Sequence, residues 1–480
     1  MDQLKKNAIS QVEAKEDLIL EVSHKVWSYA ELSLKEFKSA ALYVEKLKEE
    51  GFETEEGLCG IDTAFMGRYG SGRPWIGILG EFDALSGLSQ KAGLDHKEEL
   101  VSGGDGHGCG HNMLGAASFG AAIGVKKYLE ETGKSGTVFF YGCPGEEGGA
   151  SKALMARDGV WNQLDAAITW HPGDNFGVST GTNNSCIQYI YSFKGVSSHA
   201  AGSPEKGRSA LDAAELLNIG VQFLREHMPS DARIHYAIIN AGGKSPNVVQ
   251  ASADVLYMIR SCKVADAVAL TKRVDNIAKG AALMTDTELT TIFVDGCANA
   301  VPNTTLEKVL YENMEQIPLP EYTEEDWALA KAIQKTYPAR TNLPGKGAEH
   351  DKAIAAIVKE KSENGTRAIN DFLLPFYTGD DFSAGSSDVG DVSWNIPTAQ
   401  ISAVTWPSGA PGHSWQNVSC GASPIGDKGT MYAAKVMCGA VIDLLNQPET
   451  IEKAKKELAE RAPEGYTCPV PEGAKLYVIE

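Results

Sequence analysis

Trp75-Ile76-Gly77-Ile78-Leu79, bounded by Pro74 and Gly80, is a short apolar run of the kind that fills a buried strand. Thr137-Val138-Phe139-Phe140-Tyr141 and Ala166-Ala167-Ile168-Thr169-Trp170 repeat it further along the chain. Between these runs lie helical patterns over 112–131 and 149–158. Strands alternating with helices indicate an α/β layer around a mostly parallel sheet, because a parallel neighbour needs a crossover long enough to hold a helix. Ligands of such sheets gather at the carboxyl ends of the strands, so the residues after each run matter most. Upstream, 7–50 carries apolar positions at helical spacing (Leu18, Val22, Val26, Ala30, then Phe37, Ala41, Val44, Leu47) and stops at Gly51.

The texture changes near 187. Ile187-Gln188-Tyr189-Ile190-Tyr191-Ser192-Phe193 alternates like a strand with one solvated face. A helix over 207–226, strands over 233–241 and 249–260, a helix over 264–284 and a strand over 287–294 follow. Strand–helix–strand–strand–helix–strand is the ferredoxin-like split unit. The expected organisation is an α/β domain over 1–185 and 300–480, interrupted by an α+β domain over 186–299. The polar segment 317–375 is expected to be an α-helical elaboration. At 480 residues the chain is long enough for more than one core.

Hydrophobic residues at 43% and charged residues at 22% are ordinary for a soluble globular protein. The 44 Lys+Arg against 63 Asp+Glu give a formal charge of −19, a field that repels polyanions, so no nucleic-acid partner is expected. A small anionic ligand stays compatible with that field if one basic residue lines its pocket. The start, Met1-Asp2-Gln3-Leu4-Lys5-Lys6, opens a mixed-charge helical pattern rather than an apolar signal core, and no apolar run of about 18 residues marks a membrane span. Cysteines 59, 109, 143, 186, 262, 297, 420, 438 and 468 are scattered without framework spacing and read as free thiols of a reducing compartment. The expectation is a cytoplasmic protein without membrane contacts.

The sharpest chemical signal is Gly106-His107-Gly108-Cys109-Gly110-His111-Asn112. Two residues apart in an extended loop, Cys109 and His111 project to the same side, and thiolate and imidazole are strong ligands for borderline metals. A Gly-rich turn around an incidental buried cysteine would read the same way. Cys143-Pro144-Gly145-Glu146-Glu147-Gly148-Gly149 follows the run 137–141. Adjacent carboxylates on irregular backbone point in different directions, so one can ligate a metal while the other faces substrate as a general base. A solvated acidic turn is the plainer alternative. Trp170-His171-Pro172 ends the third run, and Gly409-Ala410-Pro411-Gly412-His413-Ser414-Trp415 follows Ile401-Ser402-Ala403-Val404. Either histidine alone is more simply a packed one. Strand-end loops that together offer Cys109, His111, Glu147, His171 and His413 point to a metal centre.

These motifs, in this order, resemble the M20 family of metallopeptidases and amidohydrolases, its D branch in particular. Glu81-Phe82-Asp83-Ala84-Leu85, Cys109-Gly110-His111, Glu146-Glu147, His171-Pro172, Ser197-Ser198-His199-Ala200-Ala201 and Gly412-His413-Ser414 carry the likeness, which spans roughly 20–445. The resemblance implies a dinuclear-metal peptidase-like catalytic domain, with 186–299 as a lid that also dimerises. It implies two divalent ions, Mn²⁺ or Zn²⁺, on Cys109, His111, Glu147, His171 and His413, with Cys109 bridging them as thiolate. Glu146 becomes the general base and later the acid, and Asp83 orients an adjacent ligand. His199 stabilises the oxyanion, in its own site or the partner's. Asn247 and Arg260 bind the substrate's free carboxylate, for which a guanidinium suits bidentate capture.

The implied reaction is hydrolysis of the amide bond in a small, anionic N-acyl amino acid or dipeptide-like substrate. The nearest expectation is p-aminobenzoyl-glutamate, split into p-aminobenzoate and glutamate. The implied partner is a second copy bound through the lid, or a paralogous subunit. A dipeptidase of the β-alanyl-lysine type shares these motifs, as does a subunit inactive without its paralogue. A thiol hydrolase with Cys109 as nucleophile and His107 or His111 as base is the competing class. Two departures from the family pattern stand out. Many members have His where Glu81 stands, and Asn112 follows His111 where the D branch commonly has Asp. The segment 88–105 is also longer than usual and could shape substrate access.

Overall fold

The computed structural model describes every residue except Leu476, Ile479 and Glu480. In chain order the first strands are β1 Glu53–Glu56, β2 Phe65–Ser71, β3 Trp75–Gly80, β4 Gly136–Gly142, β5 Ala166–Gly173 and β6 Gly177–Ser179. Then come β7 Ser185–Lys194, β8 Arg233–Asn240, β9 Ser252–Ser261 and β10 Glu288–Cys297, and finally β11 Thr398–Val404. The chain forms two compact units. The first comprises Met1–Gly181, Val301–Asp381 and Val392–Gly465; the second comprises Thr182–Ala300, Phe382–Asp391 and the stretch from Tyr466.

The first unit is built on a sheet of order β1-β2-β4-β3-β5-β11-β6. Its centre, β4-β3-β5-β11, is parallel, and antiparallel strands close both edges. This is the mostly parallel sheet the apolar runs predict. β3 and β4 are buried almost throughout, as expected of strands covered on both faces. The helical stretch read over 7–50 is three helices, α1 Gln3–Ala14, α2 Glu16–Tyr29 and α3 Phe37–Glu49. The break before α3 has a local cause. Ala30 and Leu34 take left-handed φ of 44° and 63°, and the Glu31 carboxylate accepts the backbone N–H groups of Lys38 and Ser39 at 3.0 and 2.9 Å, capping α3.

α4, His111–Thr132, packs on β3, β4 and β5 and against the helix Pro424–Asn446. It is rich in Ala and Gly because its neighbours come very close. A Cβ on Gly124 would lie 2.5 Å from Cys438 Sγ and 2.6 Å from Val12 Cγ2. α5, Ser151–Arg157, follows the loop after β4. The polar stretch 317–375 is helical in part, over Glu324–Gln334, Gly347–His350 and Lys352–Lys361.

The second unit has sheet order β10-β7-β9-β8, all antiparallel, with α6 Ala210–Leu224 and α7 Val264–Thr285 packed on the sheet. This is the split β-α-β-β-α-β arrangement. β9 buries alternate residues, with Ala253, Val255, Tyr257 and Ile259 in a core they share with Tyr191, Leu217 and Val274. Among the described residues, no helix is long and apolar enough to cross a membrane.

Substituting Gly124→Val is expected to cost about 1–3 kcal/mol, because the branched side chain overpacks the α4 contact with Val12 and Cys438. Differential scanning calorimetry should show a lower unfolding midpoint; an unchanged midpoint would rule out this packing.

Candidate metal centre

The carboxyl ends of β3, β4, β5 and β11 converge on one place. β3 runs out into Glu81-Phe82-Asp83, whose alternation buries Phe82 on one side and sets both carboxylates on the other. β4 leads into Gly145-Glu146-Glu147, and His171 lies on β5 itself, just before the end of that strand. α4 starts at His111 directly after Gly110, whose φ of +79° turns the chain where a Cβ would lie 3.0 Å from Pro172. His413 follows β11 and is held at a left-handed φ of 50°.

Three sets of donor atoms lie within 4.8 Å of one another: Cys109, His111 and His171; Cys109, Glu147 and His413; and Glu81, His111 and Glu146. Ligands about 2.0–2.3 Å from a common zinc-sized ion sit up to about 4.6 Å apart, so this spacing suits coordination. The first two sets share Cys109, as two ions bridged by one thiolate require. Cys109 Sγ is 3.4 Å from His171 Nε2, and Glu147 Oε1 is 3.4 Å from His413 Nε2.

The histidine tautomers follow from what lies behind each ring. His111 Nδ1 is 2.8 Å from Asp83 Oδ1, and His171 Nδ1 is 2.8 Å from the carbonyl of Pro172. Both contacts put the proton on Nδ1 and leave the Nε2 lone pair facing the donor cluster. The buried atoms His111 Nε2 and Glu147 Oε1 make no well-formed hydrogen bond among the described residues; their near polar neighbours are Glu81 Oε2 at 3.3 Å and His413 Nε2 at 3.4 Å. Buried polar atoms are rarely left unsatisfied, and a divalent cation satisfies both. The donor set therefore fits a metal pair.

Electrostatics point the same way. Burial, opposed by His111, pushes the Cys109 thiol up to about 12. A nearby divalent charge is what reverses such a shift and holds a thiolate. Burial works against a charged His111, yet Cys109 and then Asp83 raise its pKa. Asp83 resists burial through His111, the N–H of Glu147 and Ser33, and sits at about 2. His107 points elsewhere: its Nε2 lies 3.0 Å from the Val26 carbonyl, and burial, then His111, hold it down to about 4. His107 Nε2 is thus committed to the Val26 carbonyl rather than turned to Cys109, and His111 Nδ1 is committed to Asp83.

Sequence reasoning assigned no role to several neighbours. Ser33 Oγ donates to Asp83 Oδ2 at 2.8 Å, and Glu36 accepts the Gly145 N–H at 2.8 Å. Lys152 pairs with Glu81 at 2.8 Å. Of these, only Glu81 carried a signal, as part of the motif shared with the family and as a departure from the His of many members. Asn112 proves to be a staple: its amide donates to Ser23 Oγ at 3.0 Å and to the Gly421 carbonyl at 2.8 Å. A carboxylate could not donate there. The segment 88–105 forms an irregular hairpin fixed through Ser419, whose carbonyl and hydroxyl accept the Gly93 and Leu94 N–H groups at 2.8 and 2.9 Å.

The remaining site candidates belong to the second unit. His199 Nδ1 accepts the N–H of Gly202 at 3.0 Å, leaving its exposed Nε2 to carry the proton. Asn247 stands beside it, its carbonyl accepting the Ala200 N–H at 3.0 Å. Arg260 is elsewhere. It lies at the far end of β9, where Nη1 donates to Ser386 Oγ at 2.7 Å. At about 3.3 Å per residue, roughly 25 Å of strand separates Arg260 from the start of β9 near Asn247. Asn247 and Arg260 of one chain therefore cannot grip the same carboxylate.

The chain is 42% identical over 469 residues to the B-type polypeptide of p-aminobenzoyl-glutamate hydrolase from Escherichia coli, covering 96% of each protein. It belongs to the M20 family of metallopeptidases and amidohydrolases. Within that family it is a metal-dependent hydrolase of amide bonds. It is also 26% identical to the Xaa-Arg dipeptidase of Mus musculus over 68% of this chain and 75% of that one. Its fold matches a solved dinuclear metal-binding M20 peptidase from Bacillus subtilis with a TM-score of 0.54 at 17% identity, covering 90% of this chain and 99% of the other. No family profile matches it.

Asp83→Asn should weaken divalent-metal binding by about 10–100-fold, since Asp83 fixes both the His111 tautomer and the Glu147 backbone. Competition against a chromophoric chelator measures this; wild-type affinity in the variant would discard the orienting role.

Proposed function

We propose that the enzyme hydrolyses p-aminobenzoyl-glutamate, or a closely similar N-acyl amino acid, to an aromatic acid and a free amino acid. The supporting observation is the pair of donor sets joined at Cys109, with the Glu146-Glu147 pair beside them. Cys109, His111 and His171 would hold one ion, and Cys109, Glu147 and His413 the other. When bound, the metal pair polarises the scissile carbonyl and lowers the pKa of the attacking water. One thiolate, three imidazoles and a carboxylate suit Zn²⁺ by softness, and Mn²⁺ is the other ion to test.

Glu146, next in the chain to the ligand Glu147 and close to His111, removes the proton from the attacking water. It then delivers that proton to the leaving nitrogen. Asp83 holds His111 and the Glu147 backbone while this happens. Arg260 binds the substrate's carboxylate. His199 and Asn247, at the other end of the same sheet, serve the site of a neighbouring subunit, the imidazole N–H facing the developing oxyanion. That neighbour is a second copy joined through the second unit, or a paralogous chain, as the name of the Escherichia coli relative suggests. The nine free cysteines suit a cytoplasmic setting.

Glu146→Gln should keep its metal and lose about 10²–10⁴-fold in kcat, the usual worth of a general base. Elemental analysis and p-aminobenzoate release read the two effects, and loss of metal instead would exchange the roles of Glu146 and Glu147. A panel of p-aminobenzoyl-glutamate, hippurate-like amides and basic dipeptides, including β-alanyl-lysine, tests the substrate. Faster turnover of a dipeptide would overturn p-aminobenzoyl-glutamate as the substrate. Mixing inactive Glu146→Gln with inactive His199→Ala should restore turnover, because a hybrid dimer then contains one complete site. A mixture that stays dead places His199 in its own subunit's chemistry.

A further inference from the structure

Two guanidiniums stand side by side on neighbouring strands of the second unit. Arg233 opens β8, Arg260 is the last residue but one of β9, and the antiparallel register sets them directly opposite each other. Partners so placed point to one face, with Cβ atoms about 4.5–5.5 Å apart. That face is the one away from α6 and α7, because the next residues along, Ile234 and Ile259, fill the core beneath the helices.

Like charges directly opposite weaken an antiparallel pair. Among the described residues, neither guanidinium is ion-paired with a carboxylate. Asp295 lies on the same face but accepts the Gln188 amide on both oxygens at 2.9 Å. A chain with 63 Asp+Glu against 44 Lys+Arg does not lack acidic residues to set against such a pair. Each arginine is fixed through Nη1 alone. Arg260 Nη1 donates to Ser386 Oγ at 2.7 Å, and Arg233 Nη1 donates to the Ser230 and Ala232 carbonyls at 2.9 and 2.7 Å. The Nε–Nη2 edge, a fork that can hold a carboxylate by two parallel hydrogen bonds, makes none in either residue among the described residues.

Resting on the reading of Arg260 as the residue that binds the substrate's free carboxylate, we infer that Arg233 binds a second carboxylate, on the side chain of the same substrate. The arginine pair thereby selects amides whose amino-acid half is a dicarboxylate such as glutamate. The two anions of that half supply the acid that the protein itself does not place between the arginines. A neutral side chain would leave Arg233 facing Arg260 unpaired, and a site built for a charged partner rejects a substrate that lacks it.

The test uses full-length, metal-loaded enzyme and compares p-aminobenzoyl-glutamate with p-aminobenzoyl-glutamine, a neutral amide of nearly the same shape. Wild type should favour the glutamate amide by about tenfold or more in kcat/KM. Arg233→Gln should raise KM for that amide by the same factor, hold kcat and leave the glutamine amide unchanged, so that the preference disappears. Arg260→Gln should weaken both amides, since both carry the free α-carboxylate. A wild type indifferent to the side-chain charge, or an Arg233→Gln variant that keeps the preference, overturns the inference. If Arg233→Gln does not fold, Arg233→Lys carries the test: it keeps the charge without the fork and should narrow the preference, and an unchanged preference overturns the inference. Arg260→Gln without effect on either amide overturns the Arg260 reading instead, a pattern distinct from loss of the preference alone. If neither amide is turned over, the proposed reaction falls, and calorimetric titration with free glutamate and glutamine decides the arginine pair. Wild type should then bind glutamate more tightly and Arg233→Gln should bind the two alike; equal wild-type affinities overturn the inference.

Discussion

The carboxylate of Asp83 is the constraint on which the rest of the centre depends. One oxygen takes the Nδ1 proton of His111 at 2.8 Å; the other accepts from Ser33 Oγ at 2.8 Å and from the Glu147 N–H at 2.9 Å. Three pieces of chain far apart in sequence are thus held by one group: the turn before α3, the first residue of α4 and the loop after β4. The backbone places Asp83 where it can do this, since β3 continues into an extended segment whose odd residues face the donors and whose Phe82 is fully buried behind them. Without that carboxylate His111 would lose its fixed tautomer, and Glu147 would lose the hydrogen bond that aims its backbone.

Burying so many ionisable groups is costly unless each has a partner. The partners differ in kind. Asp83 has an imidazole, a hydroxyl and an N–H; Glu81 has an ammonium. Glu36 has no cation and accepts instead from the Leu34 and Gly145 N–H groups at 2.9 and 2.8 Å and from Thr63 Oγ1 at 3.0 Å. Burial and then the charge of Asp83 push Glu36 up to about 8, so near neutral pH it is largely neutral beside Asp83. Glu36 therefore shapes the catalytic loop through hydrogen bonds to its backbone without adding a full charge.

The layer architecture was legible because its signals are local. Apolar runs such as 75–79 and 137–141 are buried strands whatever surrounds them, and 187–193 is a strand in the sheet of the second unit, although its burial does not alternate cleanly, with Ile190 and Tyr191 both buried. The donor residues were legible only together: each motif alone has a plainer reading, but several strand-end loops each offering a thiol, imidazole or carboxylate coincide too often for chance, and their donor atoms do lie together. What escaped was relational. Nothing in the one-dimensional neighbourhood of Lys152 says that its ammonium is wholly buried on Glu81, 71 positions earlier. The break at Ala30–Glu36 was hidden because apolar spacing continues across it, and only the left-handed residues and the Glu31 cap mark the stop. Asn112 looked like a weakened acidic position, yet its neighbours are a hydroxyl and two carbonyls that require a donor.

The second unit poses a geometric problem with a definite consequence. His199 and Asn247 share one end of a sheet, and Arg260 occupies the other, roughly 25 Å along β9 at about 3.3 Å per residue. A substrate of p-aminobenzoyl-glutamate size cannot span that length while its amide sits at a metal pair. All three residues can touch substrate only if two copies of the unit contribute, one supplying Arg260 and the other His199 with Asn247. The alternating core of Val255, Tyr257 and Ile259 holds the strand, and so keeps its two ends at that distance.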